Sequence, residues 1–264
     1  MHTGTIREKY LAYNSARQHE AARVDGYQNE LRYIRKLMPL SSAVKFLDVG
    51  CGPGTFTEFM TEQGGVSAAG VDIDIALVAS ATARFQRRGV PPRFLAGRVE
   101  RLPYRDGVFD LCIANSLLEH ALDWQATLRE ASRVLKSGGL LVFYTSSRLH
   151  PFQNEVNGFP FYSWLPESLK RPILAWIMNN RPDMVNYTAL PAIHWFTFEQ
   201  LKEFLEPLGY VVYTRLDLVE ASQLTGWKAL AAPVLRIIQK VRLARYLYYF
   251  YSPDVSVYAL KRPA

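Results

Sequence analysis

The chain has 264 residues, 49% hydrophobic and 21% charged, with 16 glycines, 15 prolines and a formal net charge of +7. That is enough apolar material for a buried core, and the absence of repeats or low-complexity tracts excludes solenoid, linker and disordered classes. No apolar run is long enough to cross a bilayer, and MHTGTIREKY carries no signal-peptide stretch, so a cytoplasmic protein is expected.

From Tyr10 to Met38 the pattern is helical, with Tyr27, Leu31 and Ile34 at three-and-four spacing before Pro39, and residues 1–43 read as an N-terminal helical lid. Between Val44 and Ser146 short apolar runs alternate with helical stretches: VKFLDVG, TFTEFMTEQ, SAAGVDI, ALVASATARFQ, PRFLAG, FDLCIAN, WQATLREASRVL and LLVFYTS. Strands written as continuous apolar runs are buried on both faces, so 44–147 predicts the core of a doubly wound, mostly parallel α/β sheet. Residues 148–196 break the rhythm with Pro, Asn and aromatics, and are too long for an ordinary connection; such an insertion after the fifth strand is usually functional, with substrate binding the expected role. Residues 197–264 return to helix and strand and complete the sheet, with the last strand expected beside its predecessor and a basic helix before it.

The most informative stretch is FLDVGCGPGTF, a strand ending in Asp48 followed by Gly50, Gly52 and Gly54 and then a helix. Glycines at that junction allow tight turning and uncover amides at a helix N-terminus, where a polar or anionic ligand group is favoured. The dinucleotide fingerprint would need glycine at Thr55, and no G-K-[ST] of a P-loop follows, so both nucleotide readings fail on detail. Cys51 and Cys112 have no metal-ligand spacing and read as buried hydrophobes; no metal site is expected.

D-x-G-x-G-x-G resembles the first motif of the class I S-adenosylmethionine (SAM)-dependent methyltransferases, and further matches follow in order. GVDID places Asp72 eighteen residues past Gly54, where the resemblance implies a carboxylate accepting both ribose hydroxyls, with Ile73 packing on the adenine. LAGRVERLPYRDGVFDLCIANSLLEH resembles the stretch from the adenine contact through the fourth strand. It departs at one point, because many relatives carry an acceptor Asp where this chain has Arg98, which only donates. Either the Val99 amide and Glu100 carboxylate replace it, or the base is held by apolar packing. Asn115 is the implied neighbour of the SAM amino-acid end. WQATLREASRVLKSGGLLVFYTSS resembles the following helix, Lys-x-Gly-Gly turn and fifth strand, with Gly138 and Gly139 in the turn.

LLEH resembles the Leu-Glu-His of ubiquinone-biosynthesis O-methyltransferases, which makes His120 the candidate base, with Glu119 orienting it or facing substrate; a histidine bonded to backbone is the competing reading. No Asn/Asp-Pro-Pro-aromatic motif follows the fourth strand, so nucleic acid is not an expected partner. EVNGFPFYSWLPESLKR resembles a segment of methyltransferases from cell-surface glycan and lipid-linked biosynthesis clusters, with Asn157 where those have histidine. It implies Glu155 on a substrate hydroxyl and Phe159, Phe161, Tyr162 and Trp164 as an apolar wall, or else a small core for the insertion. His194 is a second base candidate or a structural histidine.

Between Trp227 and Phe250 lie five basic residues and no acidic one, open to contact with the inner membrane surface or an acidic substrate, or simply a surface helix onto whose apolar side Arg245 intrudes. The resemblance implies methyl transfer to oxygen of a small-molecule or lipid-linked acceptor such as a quinone precursor, a phenolic or a glycan-lipid intermediate. A SAM-fold scaffold without turnover and a nicotinamide-dependent reductase remain as other readings.

Overall fold

The computed structural model describes residues 21–91, 93–152, 156–181, 184–185, 191–220 and 230–263. Strands β1 (Lys45–Val49), β2 (Ser67–Asp72), β3 (Phe94–Ala96), β4 (Phe109–Asn115) and β5 (Leu135–Ser146) are parallel. β6 (Tyr210–Thr214) and β7 (Asp254–Lys261) complete one seven-stranded sheet in the order β3-β2-β1-β4-β5-β7-β6. The last strand does pair with its predecessor, and it also runs antiparallel against β5.

The helices are α1 (Ala21–Leu37), α2 (Thr55–Gln63), α3 (Ile75–Arg87), α4 (Trp124–Val134), α5 (Glu167–Asn180), α6 (Phe198–Leu205), α7 (Arg215–Leu218), α8 (Ala232–Lys240) and α9 (Arg242–Tyr251). On one face of the sheet Leu47, Val71, Cys112 and Leu141 pack against α4 and α6 through Leu128, Ala131, Leu201 and Leu205. On the other, Phe46, Leu111, Ile113 and Val142 pack against α1 and α2 through Leu31, Ile34, Phe56 and Met60. Adjacent strand residues thus feed opposite cores, which is why the strands read as unbroken apolar runs. Cys51 and Cys112 are buried free thiols within this packing.

Three sequence expectations need correction. The described part of the supposed lid is a core helix: Leu31 and Ile34 are buried, and Tyr27 sits 4.8 Å from Phe56. Lifting it would expose two large apolar side chains at roughly 1.5–3 kcal/mol each. The Lys-x-Gly-Gly segment is absorbed into β5 as an irregularity against β4, where the register steps from Phe109↔Leu135 to Leu111↔Leu140. The basic stretch is two helices, broken at Val241, and Arg245 turns inward to pair with Asp217 and Thr214 instead of intruding on an apolar face. The insertion carries its own small core of Val156, Tyr162, Leu174, Ile177 and Trp195.

A carboxyl group is buried where α1 meets β7. Burial pushes the Glu30 carboxyl up to about 8, partly offset by its hydrogen bond with Tyr258 and by the Arg215 guanidinium. The folded protein therefore holds a proton that the unfolded chain, at a carboxyl pKa of 4.5, has released. This contribution to stability is complete below that unfolded value and is lost as pH rises toward the folded one. Glu30→Gln should flatten the pH dependence over this window and be more stable than the parent at pH 8, by roughly 2–4 kcal/mol, as read by urea unfolding at both ends.

Candidate functional site

The strand order reverses at β1, flanked by β2 and β4, so the segments leaving their C-terminal ends diverge and open a crevice. The loop after β1 enters it with Gly50, Gly52 and Gly54 at φ 76, 52 and 75°. A Cβ on Gly54 would come within 2.8 Å of Ala81 Cβ on α3, and one on Gly50 within 2.8 Å of Leu117 Cδ1. Glycine here serves both backbone conformation and close packing, which lets the loop lie flat between α3 and the segment after β4.

Asp72 ends β2 with its carboxylate fastened at both oxygens. Oδ2 accepts from the Gly52 amide at 2.8 Å and Oδ1 from the Asp74 amide at 2.9 Å. Burial raises its pKa, and the two amides oppose that shift. Each oxygen keeps a second lone-pair direction, so a fixed acceptor pair remains for a ligand. Beside it Ile73 is 57% exposed, an apolar surface with no cover.

Asp48 is elsewhere than expected. Its side chain is 2% exposed beneath the loop, where Oδ2 accepts from Thr57 Oγ1 at 2.6 Å. Burial pushes its pKa up to about 7, the Thr57 bond lowering it and the Asp72 charge raising it. It braces α2 under the glycine loop and has no open surface toward a ligand.

On the far side of the crevice, Arg98 is exposed and lies 3.5 Å from Glu100, whose other carboxylate oxygen accepts from the Leu122 amide at 3.3 Å. Val99 turns its side chain into the main core. Asn115 ends β4 with Oδ1 buried and without a partner among the described residues, as is Thr55 Oγ1 at the start of α2. Ser116 follows at φ 47°, a left-handed conformation for a non-glycine residue, with its amide donating to Tyr144 O at 3.0 Å. Thr55 and Ser116 escaped sequence reading: Thr55 registers there only as a missing glycine, and backbone strain has no sequence signal.

Glu119 lies in the turn after β4. Its side chain is buried and accepts from Thr145 Oγ1 at 2.8 Å, so the carboxylate faces β5. Its carbonyl is the useful group, accepting from the amides of Ile193 and His194 at 2.7 and 3.1 Å. The end of the insertion is thereby tied to the residue preceding His120, and the two candidate histidines share one neighbourhood. Burial lowers the His194 pKa, opposed by Glu167 and by bonds to the Ala121 and Leu122 backbone; its Nε2 is buried and unpartnered among the described residues.

The insertion's aromatics divide. Phe159 and Tyr162 belong to its small core, whereas Phe161 and Trp164 are exposed, tilted against each other with ring centroids 4.8 Å apart, and Trp164 is 6.3 Å from Phe250 of α9. The small-core reading thus holds for Phe159 and Tyr162, while Phe161 and Trp164 lie outside that core. Glu155 lies outside the described residues.

The family profile described as a methyltransferase domain matches residues 47–143. A demethylmenaquinone methyltransferase of Mycolicibacterium gilvum is 30% identical over 181 residues, covering 68% of this chain and 73% of that protein. A malonyl-[acyl-carrier protein] O-methyltransferase of Pectobacterium atrosepticum is 30% identical over 109 residues, 41% of each chain. Among solved structures, a geranyl diphosphate C-methyltransferase from Streptomyces coelicolor aligns over 97% of this chain and 83% of its own, with a TM-score of 0.56 at 16% identity, a likeness of fold.

The packing of the glycine loop is directly testable. Gly54→Ala places a methyl against Ala81 and forces alanine to a φ of 75°. It should cost about 1–3 kcal/mol, seen as a lowered urea midpoint with an unchanged slope.

Proposed function

This chain belongs to the class I S-adenosylmethionine-dependent methyltransferases, and we propose that it methylates an oxygen of a small or amphipathic metabolite, with His120 as the base. The observation that carries the cofactor part is the Asp72 carboxylate, held at both oxygens by backbone amides with its outer lone pairs available to the paired ribose hydroxyls. The other groups suit the same ligand. Ile73 offers its exposed face to the adenine. The Glu100 carboxylate stands in for the acceptor that Arg98 cannot be, with the Val99 amide as a donor beside it. The loop of Gly50, Gly52 and Gly54 borders the amino-acid end, where the unpartnered buried atoms Thr55 Oγ1 and Asn115 Oδ1 await a polar partner. Asp48 supports this end from beneath.

The bound cofactor supplies an already activated sulfonium methyl group. The protein's task is then to align the acceptor oxygen, exclude water and take up a proton where the nucleophile must lose one. His120, on the turn after β4, accepts the hydroxyl proton on an imidazole nitrogen, and His194 is the alternative acceptor through Nε2. Burial lowers the His194 pKa, which favours the neutral ring that can accept a proton. Glu119 contributes through its backbone, which holds the insertion against the base.

The acceptor class follows from the insertion and the relatives. Trp164 with Phe161 offers an aromatic surface, Glu155 is assigned to a substrate hydroxyl, and the names of the relatives include a quinone precursor and a carrier-linked acid methylated on oxygen. A quinone precursor, a phenolic or a glycan-lipid intermediate meets these requirements. The finer part of the proposal is a lipid-linked acceptor, reached with the 227–250 stretch against the inner membrane surface.

Calorimetric titration with S-adenosylhomocysteine, with NADPH in parallel, tests the cofactor part. Micromolar binding of the first alone is expected; its absence would return the scaffold reading. Asp72→Ala should weaken that binding tenfold or more, since losing a charged hydrogen bond costs about 1.5–3 kcal/mol, with the thermal midpoint little changed. Turnover is read with a phenolic quinone precursor as acceptor. His120→Ala should lower it about 100-fold and leave S-adenosylhomocysteine affinity intact; loss confined to His194→Ala would transfer the role.

A further inference from the structure

The helices α8 and α9 each have an inner and an outer side. Inward, Leu235, Ile238 and Tyr248 pack on the main core, Gln239 Nε2 donates to the carbonyls of Leu216 and Val219 at 2.7 and 2.9 Å, and Arg245 pairs with Asp217. The outer side is apolar. Val234, Ile237 and Val241 follow three-and-four spacing, and Leu243, Leu247 and Tyr251 follow four-residue spacing; Ile237 is 56%, Leu243 69% and Leu247 57% exposed. Two consecutive rows of large exposed aliphatics on helices otherwise anchored to the core are far from ordinary surface composition.

The charges carried by α8 and α9 themselves have one sign. Exposed Arg236 and Lys240 flank them, and Arg242 stands over the Tyr246 ring at 5.8 Å with Glu199 and Glu203 of α6 in its field. No acidic residue occurs from Ala221 to Pro253. Apolar rows rimmed by cations match an anionic lipid surface, where acyl chains take the side chains and headgroups take the charges. At 9 and 10 residues α8 and α9 are too short to cross a bilayer, and no described helix is long and apolar enough to do so, so they would lie in the plane of the interface.

The face continues to the insertion. From Tyr251 the aromatic contacts run to Phe250 at 5.4 Å, to Trp164 at 6.3 Å and on to Phe161 at 4.8 Å. His150 Nδ1 meets the Phe250 carbonyl at 2.9 Å, joining the start of the insertion to the end of α9. We infer that the outer side of α8 and α9, continued by Trp164 and Phe161, is a docking face for an anionic bilayer, which sets the acceptor side of the crevice against the membrane so that an amphipathic acceptor enters from the lipid. Delivery of the acceptor rests on the methyltransferase reading; docking itself does not, and is measured without turnover.

The test is flotation of the full chain with phosphatidylcholine vesicles, with and without phosphatidylglycerol, at low and high salt. The parent should float with the anionic vesicles, and about tenfold less with neutral ones or at high salt. Leu243→Glu combined with Leu247→Glu should lose binding about tenfold or more, as should Arg236→Glu combined with Lys240→Glu. Both pairs should keep the parent's S-adenosylhomocysteine affinity, which verifies the fold and separates failed docking from a failed cofactor site. No flotation, or equal flotation with neutral vesicles, overturns the inference. So does a parent that sediments as a dimer, fails to float, and becomes monomeric in the Leu243/Leu247 variant, since a second copy would then cover the face.

Discussion

The hydrogen bond from the Gly52 amide to Asp72 Oδ2 joins the loop after β1 to the end of β2, and the rest of the site is arranged around it. The carboxylate is already oriented before any ligand arrives, so little conformational entropy remains to be lost when hydroxyl groups meet it. The bond also pins the glycine loop at its midpoint. From there the loop can rest on Ala81 and Leu117 only because positions 54 and 50 lack a Cβ. An acidic residue and a backbone conformation, twenty positions apart in the chain, thus form one rigid unit.

Beneath it lies a second carboxylate with a different task. The Asp72 charge counts against ionisation of Asp48, and both carboxyls have pKa values raised chiefly by burial. Asp72 is relieved by two amides and stays at the crevice, whereas Asp48 is relieved by one hydroxyl and is sealed below. The motif writes both as aspartate. Their division into ligand acceptor and loop brace comes from which hydrogen-bond donors surround each one, and the chain supplies those donors from α2 and from the turn before α3.

The insertion shows the same dependence on distant partners. Its identity as a separate segment was legible from its length and aromatic content, and its small core follows from that composition. That it closes on the turn after β4 was not legible, because the link is two backbone amides meeting the Glu119 carbonyl, which no side-chain pattern records. The Leu-Glu-His string likewise does not record that one oxygen of its glutamate meets a threonine on the neighbouring strand. Arg245 and the supposed lid misled through tertiary contacts as well, since Asp217 and the core around Phe56 lie far away in the chain.

Sequence alone determined the class of the protein. Unbroken apolar runs alternating with helical periodicity require strands buried on both faces, hence a parallel doubly wound sheet, and the glycine pattern after the first strand with an aspartate after the second marks its ligand crevice. These features are local, each written in about ten neighbouring residues. Tertiary structure decided which carboxylates face the crevice, that α1 is core, that the last strand runs between β5 and β6, and which side of α8 and α9 stays uncovered. Those outcomes depend on packing and hydrogen bonds between residues brought together only by folding, so no local pattern could have announced them.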